Sequence, residues 1–197
     1  MSPGRLIVLS APSGSGKTTI AKAILRKYPE MLFSVSATTR PMRSGEVEGR
    51  DYFFLTREAF EARVRKGDLA EYEEIYGDYY GTLKSEVDRV LKRGGIMLFD
   101  VDVKGALSIK RIYPNDAVLI FITPPSVEAL KQRLRGRKTE DEATIKRRLD
   151  RVTMEMEMGN QFDHRVLNDR VEKAVDEVDA IVRRQMRREP SHENQSS

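Results

Sequence analysis

The stretch LIVLSAPSGSGKTTIAKAIL, Leu6 to Leu25, constrains the fold of this chain more than any other. Four apolar residues, Leu6 to Leu9, read as a buried strand. A loop follows with glycines at 14 and 16, and Lys17–Thr18 then open a helical pattern that keeps Ile20, Ala21, Ile24 and Leu25 on one face. In such a strand–loop–helix unit, successive backbone N–H groups of Gly14, Ser15, Gly16 and Lys17 curl around a phosphate, and glycine lets the backbone come close. The positive end of the helix adds to the field. The whole loop, Ala11, Pro12, Ser13, Gly14, Ser15, Gly16, Lys17 and Thr18, is therefore the candidate triphosphate cradle. Lys17 would reach the β- and γ-phosphates, and the Thr18 hydroxyl would ligate Mg²⁺. The strict phosphate-loop pattern wants glycine at position 11, where this chain has Ala11; alanine costs little there if its φ is negative.

The rest of the chain supplies an α/β frame for that unit. Ile96–Phe99 and Val118–Ile122 are further short, nearly continuous apolar runs followed by helical patterns, as buried parallel strands covered by helices read. The last helix repeats Val171, Val175, Val178, Ile181 and Val182 at helical spacing. Two segments interrupt the alternation. Residues 33–91 hold a Gly-punctuated loop, a strand over Tyr52–Leu55, a helix capped by Thr56, the aromatic stretch EYEEIYGDYYG and a helix from near Ser85 to Gly94–Gly95, which together predict an inserted mixed lobe. Lys131 to Arg151 carries nine Lys/Arg against four Asp/Glu, with Thr139 and Glu142 as a capping box. Met154, Met156 and Met158 read as packing rather than a cofactor box. The tail 188–197 is polar and reads as disordered.

Composition excludes several chemistries. With no cysteine there is no disulfide, thiolate metal site or cysteine nucleophile. The longest apolar run, Ala117 to Ile122, is far below the roughly 18 residues of a membrane span, and the N-terminus has no signal-like apolar region; a cytoplasmic protein without membrane contact is expected. A net charge of +4 admits polyanionic partners. The basic residues gather near candidate phosphate positions instead of forming one stripe, which argues against nucleic acid.

A second acid for the metal comes from IMLFDVD, where Asp100 ends an apolar strand and Asp102 follows on the same side. The fragment DVKG fits the short D-x-x-G of GTPase switches, but no guanine-reading N/T-K-x-D follows it. In the inserted segment, Arg40 and Arg43 flank Pro41, which favours extended backbone. Tyr52 follows, and Tyr80 comes later. Two guanidinium forks and two phenolic hydroxyls suit a phosphate monoester.

The run T-T-R-x-x-R-x-x-E-x-x-G-x-x-Y-x-F-L, Thr38 to Leu55, resembles the signature of the guanylate kinase family. SAPSGSGKT, EYEEIYGDYYGT, LFDVDVKGA, ITPPSVEALKQRLRGR and VLNDRVEKA resemble the family's other blocks in order and spacing, so that only the polar tail lies outside. The resemblance implies a P-loop NTPase-like parallel sheet covered by helices, with an inserted mixed α/β GMP-binding lobe and a helical lid. In this chain the core would be 1–35, 92–125 and 159–187, the lobe 36–91 and the lid 126–158.

It also implies an ATP:GMP phosphotransferase that takes GMP or dGMP, uses Mg²⁺ with ATP, and needs no obligate protein partner. Arg40, Arg43, Tyr52 and Tyr80 would hold the GMP phosphate. Ser36, Glu71 and Thr82 would read guanine, with Asp102 facing GMP. Asp100 would face Mg²⁺ and Lys17. Arg137 and Arg148 of the basic segment would clamp the ATP phosphates as catalytic residues beside Lys17, and Asn168 would lie near adenine. Arg133, Arg135 and Arg147 read equally well as solvated helix charges. No role falls to His164 or His192, because an ionised phosphate acceptor needs no general base. Domains of this kind also occur as peptide-binding scaffolds lacking a working phosphate loop; the intact GKT, Asp100 and the lid arginines argue for the enzyme.

Overall fold

The computed structural model describes residues 4–12, 14–75, 77–126 and 152–187. Ser13, the capping box at Thr139 and Glu142, the arginines 133, 135, 137, 147 and 148, most of the expected lid and the tail 188–197 lie outside the described residues. Strand β1 (Arg5–Ser10) is fully buried, and its alternating side chains feed two different cores. Ile7 and Leu9 point to one face, where Ile20 and Ile24 of helix α1 (Lys17–Lys27) meet Val175, Val178 and Val182 of helix α5 (Val171–Met186). Leu6 and Val8 point to the other, where Val87 and Val90 of α3 (Lys84–Lys92) and Val103, Ala106 and Ile109 of α4 (Val103–Ile112) pack. Burial on both faces explains why these strands carry continuous apolar runs.

The sheet has five strands, all parallel, in the order β2-β7-β1-β8-β9, with β2 at Leu32–Phe33, β7 at Ile96–Asp100, β8 at Ala117–Thr123 and β9 at His164–Leu167. Leu9 pairs with Asp100 and Ser10 with Phe121, so the phosphate loop leaves the carboxyl edge of the sheet beside the end of β7. The three apolar runs are thus strands, as expected. β2 and β9 are not among the expected strands. β2 has only two residues, and HRVL buries Val166 alone, leaving no apolar run to read.

The inserted segment forms a second sheet in the order β4-β3-β6-β5: β3 (Ala37–Thr38), β4 (Phe53–Phe54), β5 (Leu69–Ile75) and β6 (Asp78–Leu83). Helix α2 (Arg57–Lys66) covers it; the Thr56 hydroxyl accepts from the Ala59 N–H at 3.2 Å, and Gly67 ends the helix in the left-handed region. The expected strand over Tyr52–Leu55 shortens to Phe53–Phe54, with Tyr52 in an isolated bridge to Glu48. The lobe's own core is small: Ala37, Phe60, Leu69 and Leu83 are buried, and Phe60 stacks on Tyr79 with ring centroids 5.3 Å apart. A Cβ at Gly81 would stand 3.2 Å from the Phe60 ring and 2.7 Å from the Glu71 carbonyl, so only glycine admits that ring beneath the sheet.

Two helical stripes need correction. Val171 stands in the first turn of α5 and is exposed, its expected place in the core taken by Ala174. Met154 is exposed, whereas Met156 and Met158 pack against the α4 face as the packing reading requires.

Candidate active site

The expected donor side lies at the junction of β1, the phosphate loop and α1. Gly14 and Gly16 take φ of 85° and 86°, the left-handed region that other residues enter only with strain. Gly16 is also the N-cap of α1, with no side-chain cap and no acidic residue in the first turn, so the helix's positive end stays unneutralised. Beside it lies Asn168, buried, with its Nδ2 donating to the Ser15 carbonyl at 2.7 Å. A Cβ on Gly16 would come within 2.6 Å of that nitrogen. Asn168 therefore braces the loop from β9, which ends one residue earlier.

Asp100 gathers the catalytic candidates. Its Oδ1 stands 2.6 Å from Lys17 Nζ, and its Oδ2 accepts from the Thr18 hydroxyl at 2.9 Å. Lys17 also donates to the Val101 carbonyl at 2.6 Å. Asp102 lies past the end of β7, so it does not share a strand face with Asp100; it is the N-cap of α4 and accepts from the Gly105 N–H at 2.7 Å. A single hydroxyl and a single carboxylate are hard oxygen ligands of the kind Mg²⁺ takes alongside phosphate oxygens and water. Among the described residues no cluster of three or more His, Cys, Asp or Glu could hold a metal unaided.

The expected acceptor side uses the two-residue period of β5 and β6. Glu71 pairs with Thr82 and Glu73 with Tyr80, which sets all four on one face, while Tyr72 and Tyr79 turn to Phe60 on the other. The Thr82 hydroxyl donates to Glu71 Oε1 at 2.6 Å. Glu71 and Asp102 line a cavity of about 310 Å³ shared with Glu73, Lys104, Glu155 and Met158. Burial pushes the Glu71 carboxyl up to about 7, the Thr82 hydroxyl opposes this, and the Asp102 and Glu73 charges add to it. The cavity thus presents hydrogen-bond acceptors, which calls for a ligand edge made of donors.

A second cluster stands at the other end of β6. The Arg40 guanidinium lies 5.3 Å from the Tyr52 ring centre and 5.8 Å from that of Phe54, and Tyr52 meets Tyr80 edge-on at 6.0 Å. Arg40 Nη1 donates to the Pro41 carbonyl and Nη2 to Glu46, both at 2.7 Å. Arg43 is exposed. Ser36 is half-buried, and its carbonyl accepts from Phe53 N–H at 2.9 Å. The structure therefore brings Arg40, Tyr52 and Tyr80 together, and Glu71, Thr82 and Asp102 together. Glu46, Glu73, Lys104 and Glu155 were missed. Glu73 was legible, two residues beyond Glu71 on the same strand; Glu155 comes from a distant helical stretch, 152–158, with no local signal.

Residues 3–185 match the family model for guanylate kinase. The chain belongs to the guanylate kinase family. Within that family it is 48% identical over 175 residues to the guanylate kinase of Chlorobium luteolum, covering 89% of each chain. It is 52% identical to that of Salinibacter ruber, covering 88% of this chain and 92% of the relative. The crystal structure of guanylate kinase from Anaplasma phagocytophilum superposes with a TM-score of 0.72 at 30% identity, over 95% of this chain and 89% of the other. The phosphate loop, the parallel sheet and the inserted lobe are thus the family's parts, and no described helix is long and apolar enough to cross a membrane.

Proposed function

We propose that the protein transfers the γ-phosphoryl group of ATP to GMP or dGMP, giving ADP and GDP or dGDP, in the cytoplasm, where both nucleotides are at hand. The observation that carries the acceptor's identity is the Glu71 carboxylate, held by Thr82 and facing a cavity shared with Asp102. Guanine offers N1–H and N2–H₂ side by side, two donors for such an edge. Adenine offers an acceptor at N1 and no amine at C2, and a buried polar site rejects such a mismatch by roughly 10⁴. Arg40, Tyr52, Tyr80 and the exposed Arg43 would take the 5′-phosphate.

The chemistry is positioning and electrostatics. A GMP phosphate oxygen attacks the γ-phosphorus in line, the bond from that phosphorus to the β,γ-bridging oxygen breaks, and ADP leaves. The acceptor is already anionic, so no base has to remove a proton. The uncapped start of α1 and the loop N–H groups hold the ATP phosphates. Lys17, oriented by Asp100 and Val101, meets the charge that grows on the transferring oxygens. Thr18 and Asp100 would hold Mg²⁺, which when bound neutralises the β- and γ-phosphate charge. Arg137 and Arg148 are proposed to complete the clamp from the basic segment, whose closing with the lobe would keep water from the γ-phosphorus.

A coupled assay of ADP release with Mg-ATP tests the reading against GMP, dGMP, AMP, CMP and UMP. Turnover is expected with the two guanine nucleotides. Equal rates across the panel, or release of ADP without any acceptor, would reject it.

A further inference from the structure

We propose that Glu46 is a positioning residue for the acceptor phosphate: one carboxylate sets the Arg40 fork and the backbone of Arg43 at the same time. The inference rests on the reading of this lobe as the GMP site.

The geometry is that of a strap. Glu46 Oε1 accepts from Arg40 Nη2 at 2.7 Å, and Oε2 accepts from the Arg43 N–H at 2.7 Å. Both carboxylate oxygens of one side chain are engaged at the two ends of a short loop, and each end carries one arginine. The strap is itself sheltered, with Arg40 and Glu46 side chains only 11% and 20% exposed. The Arg40 hydrogen bond first, and then the Arg43 N–H, hold the Glu46 carboxyl below its usual range, so it is ionised at neutral pH.

A carboxylate beside a phosphate site looks unfavourable, since like charges repel. Its return is order. Arginine loses much rotamer freedom when it is fixed, and a fork fixed beforehand loses less on binding. Arg40 is held on three sides: Glu46 takes one terminal nitrogen, the Pro41 carbonyl takes the other, and the Tyr52 and Phe54 rings lie near the guanidinium. N–H groups beyond those given to Pro41 and Glu46 remain to meet a phosphate, next to the Tyr80 hydroxyl.

Neighbouring carboxylates show what Glu46 does differently. Asp51 accepts from the Val47 N–H at 2.8 Å and from the exposed Arg50, and Glu48 accepts from the Phe54 N–H at 3.0 Å. These two brace the loop. Of the three, Glu46 alone also holds an arginine of the phosphate cluster.

The test separates the phosphate from the base. Calorimetric titration with GMP and with guanosine gives a ratio of dissociation constants that reports the phosphate contribution alone. Glu46→Ala loses both strap bonds; Glu46→Gln keeps one acceptor oxygen and turns an NH₂ toward a donor. We expect Glu46→Ala to raise the GMP-to-guanosine ratio of dissociation constants toward one, on the order of ten-fold or more, with Glu46→Gln intermediate and guanosine binding unchanged. In steady state the KM for GMP should rise more than kcat falls, and the KM for ATP should hold. Asp51→Ala, which loosens the same loop without touching Arg40, should leave the ratio alone. An unchanged ratio in the Glu46 variants, tighter GMP binding, or an equal loss for GMP and guanosine would each overturn the proposal. If the wild-type protein itself does not prefer GMP to guanosine, the reading of the lobe falls, and Glu46's role with it.

Discussion

Lowering the pH from about 8 to about 6 is expected to weaken guanine binding through Glu71. In the proposed reading the form that accepts guanine N–H groups is the carboxylate, and burial pushes this carboxyl up to about 7. The ligand's donors favour the ionised form, so binding draws the proton off. Affinity is therefore complete above about 7 and is lost as the pH falls through it. The ionised fraction drops from about nine-tenths to about one-tenth across that interval, and the apparent dissociation constant rises by about ten-fold. A phosphate monoester also takes up a proton near about pH 6, so guanosine is the ligand of choice. Titration calorimetry in buffers of different ionisation enthalpy should show nearly one proton released per guanosine at pH 6 and almost none at pH 8.

The same shift acts on stability with the opposite sign. A folded pKa above the unfolded one means that the native state binds the extra proton, so the contribution to stability is present below about 4.5 and is lost as the pH rises through about 7. At one pKa unit per 1.36 kcal/mol, the group costs up to about 3 kcal/mol at pH 8. Glu71→Gln removes that cost, so the variant should melt higher than wild type at pH 8 while binding guanosine worse and without pH dependence. A wild-type guanosine affinity that is flat from pH 8 to pH 6, or a Glu71→Gln protein that keeps the wild-type pH dependence, would refute the reasoning.

Further outcomes follow from other parts of the site. Lys17→Ala should abolish turnover yet leave GMP binding within a few-fold of wild type by calorimetry, because Lys17 bonds Asp100 and Val101 and does not line the Glu71 cavity. Phe60→Ala should cost about 3–5 kcal/mol of lobe stability, since Phe60 is fully buried in a core of four buried residues; hydrogen exchange should show β5 and β6 losing protection before β1 and β8. Arg137→Ala and Arg148→Ala should each lower kcat far more than they weaken GMP binding, whereas Arg135→Ala should do little; steady-state kinetics on the three variants decides this, and identical behaviour would make the segment a generic charged surface.

The parts of the fold that were legible are those where one physical requirement dominates. β1, β7 and β8 are buried on both faces and can only be apolar, and a loop that needs φ near 86° at position 16 can only be written with glycine. α2 announced itself through the Thr56 cap. What stayed hidden depends on contacts distant in sequence. β9 is read as polar because only Val166 turns inward, yet it carries Asn168 to the phosphate loop more than 150 residues away. Glu46 sat inside the recognised signature, but its value lies in two bonds made at once, which no spacing rule expresses. The Asp100–Asp102 pair was read as one strand face; the strand stops at Asp100, and the second carboxylate turns into a helix cap instead.

The end of β7 sets the Lys17 cluster apart from the Glu71 cavity. Asp100, Val101 and Asp102 are consecutive, and the first two hold Lys17 through a carboxylate and a carbonyl, each at 2.6 Å. The third starts α4 and lines the Glu71 cavity. Two residues of chain can span no more than about 7 Å, so donor lysine and acceptor pocket are tied to backbone points within that distance of each other. Had the strand run on with both carboxylates on one face, both would have served the same ligand. Ending β7 between them turns one toward Lys17 and the other toward the Glu71 cavity. The helix cap then fixes the second by a bond to its own Gly105 N–H, at 2.7 Å, rather than by anything in the lobe. Core and lobe thereby share one cavity: Glu71, held by Thr82, arrives on the inserted sheet, and Asp102 lies on the core. In the proposed reading guanine would bridge Glu71 of the lobe and Asp102 of the core, so a substitution that changes their separation should change guanosine affinity.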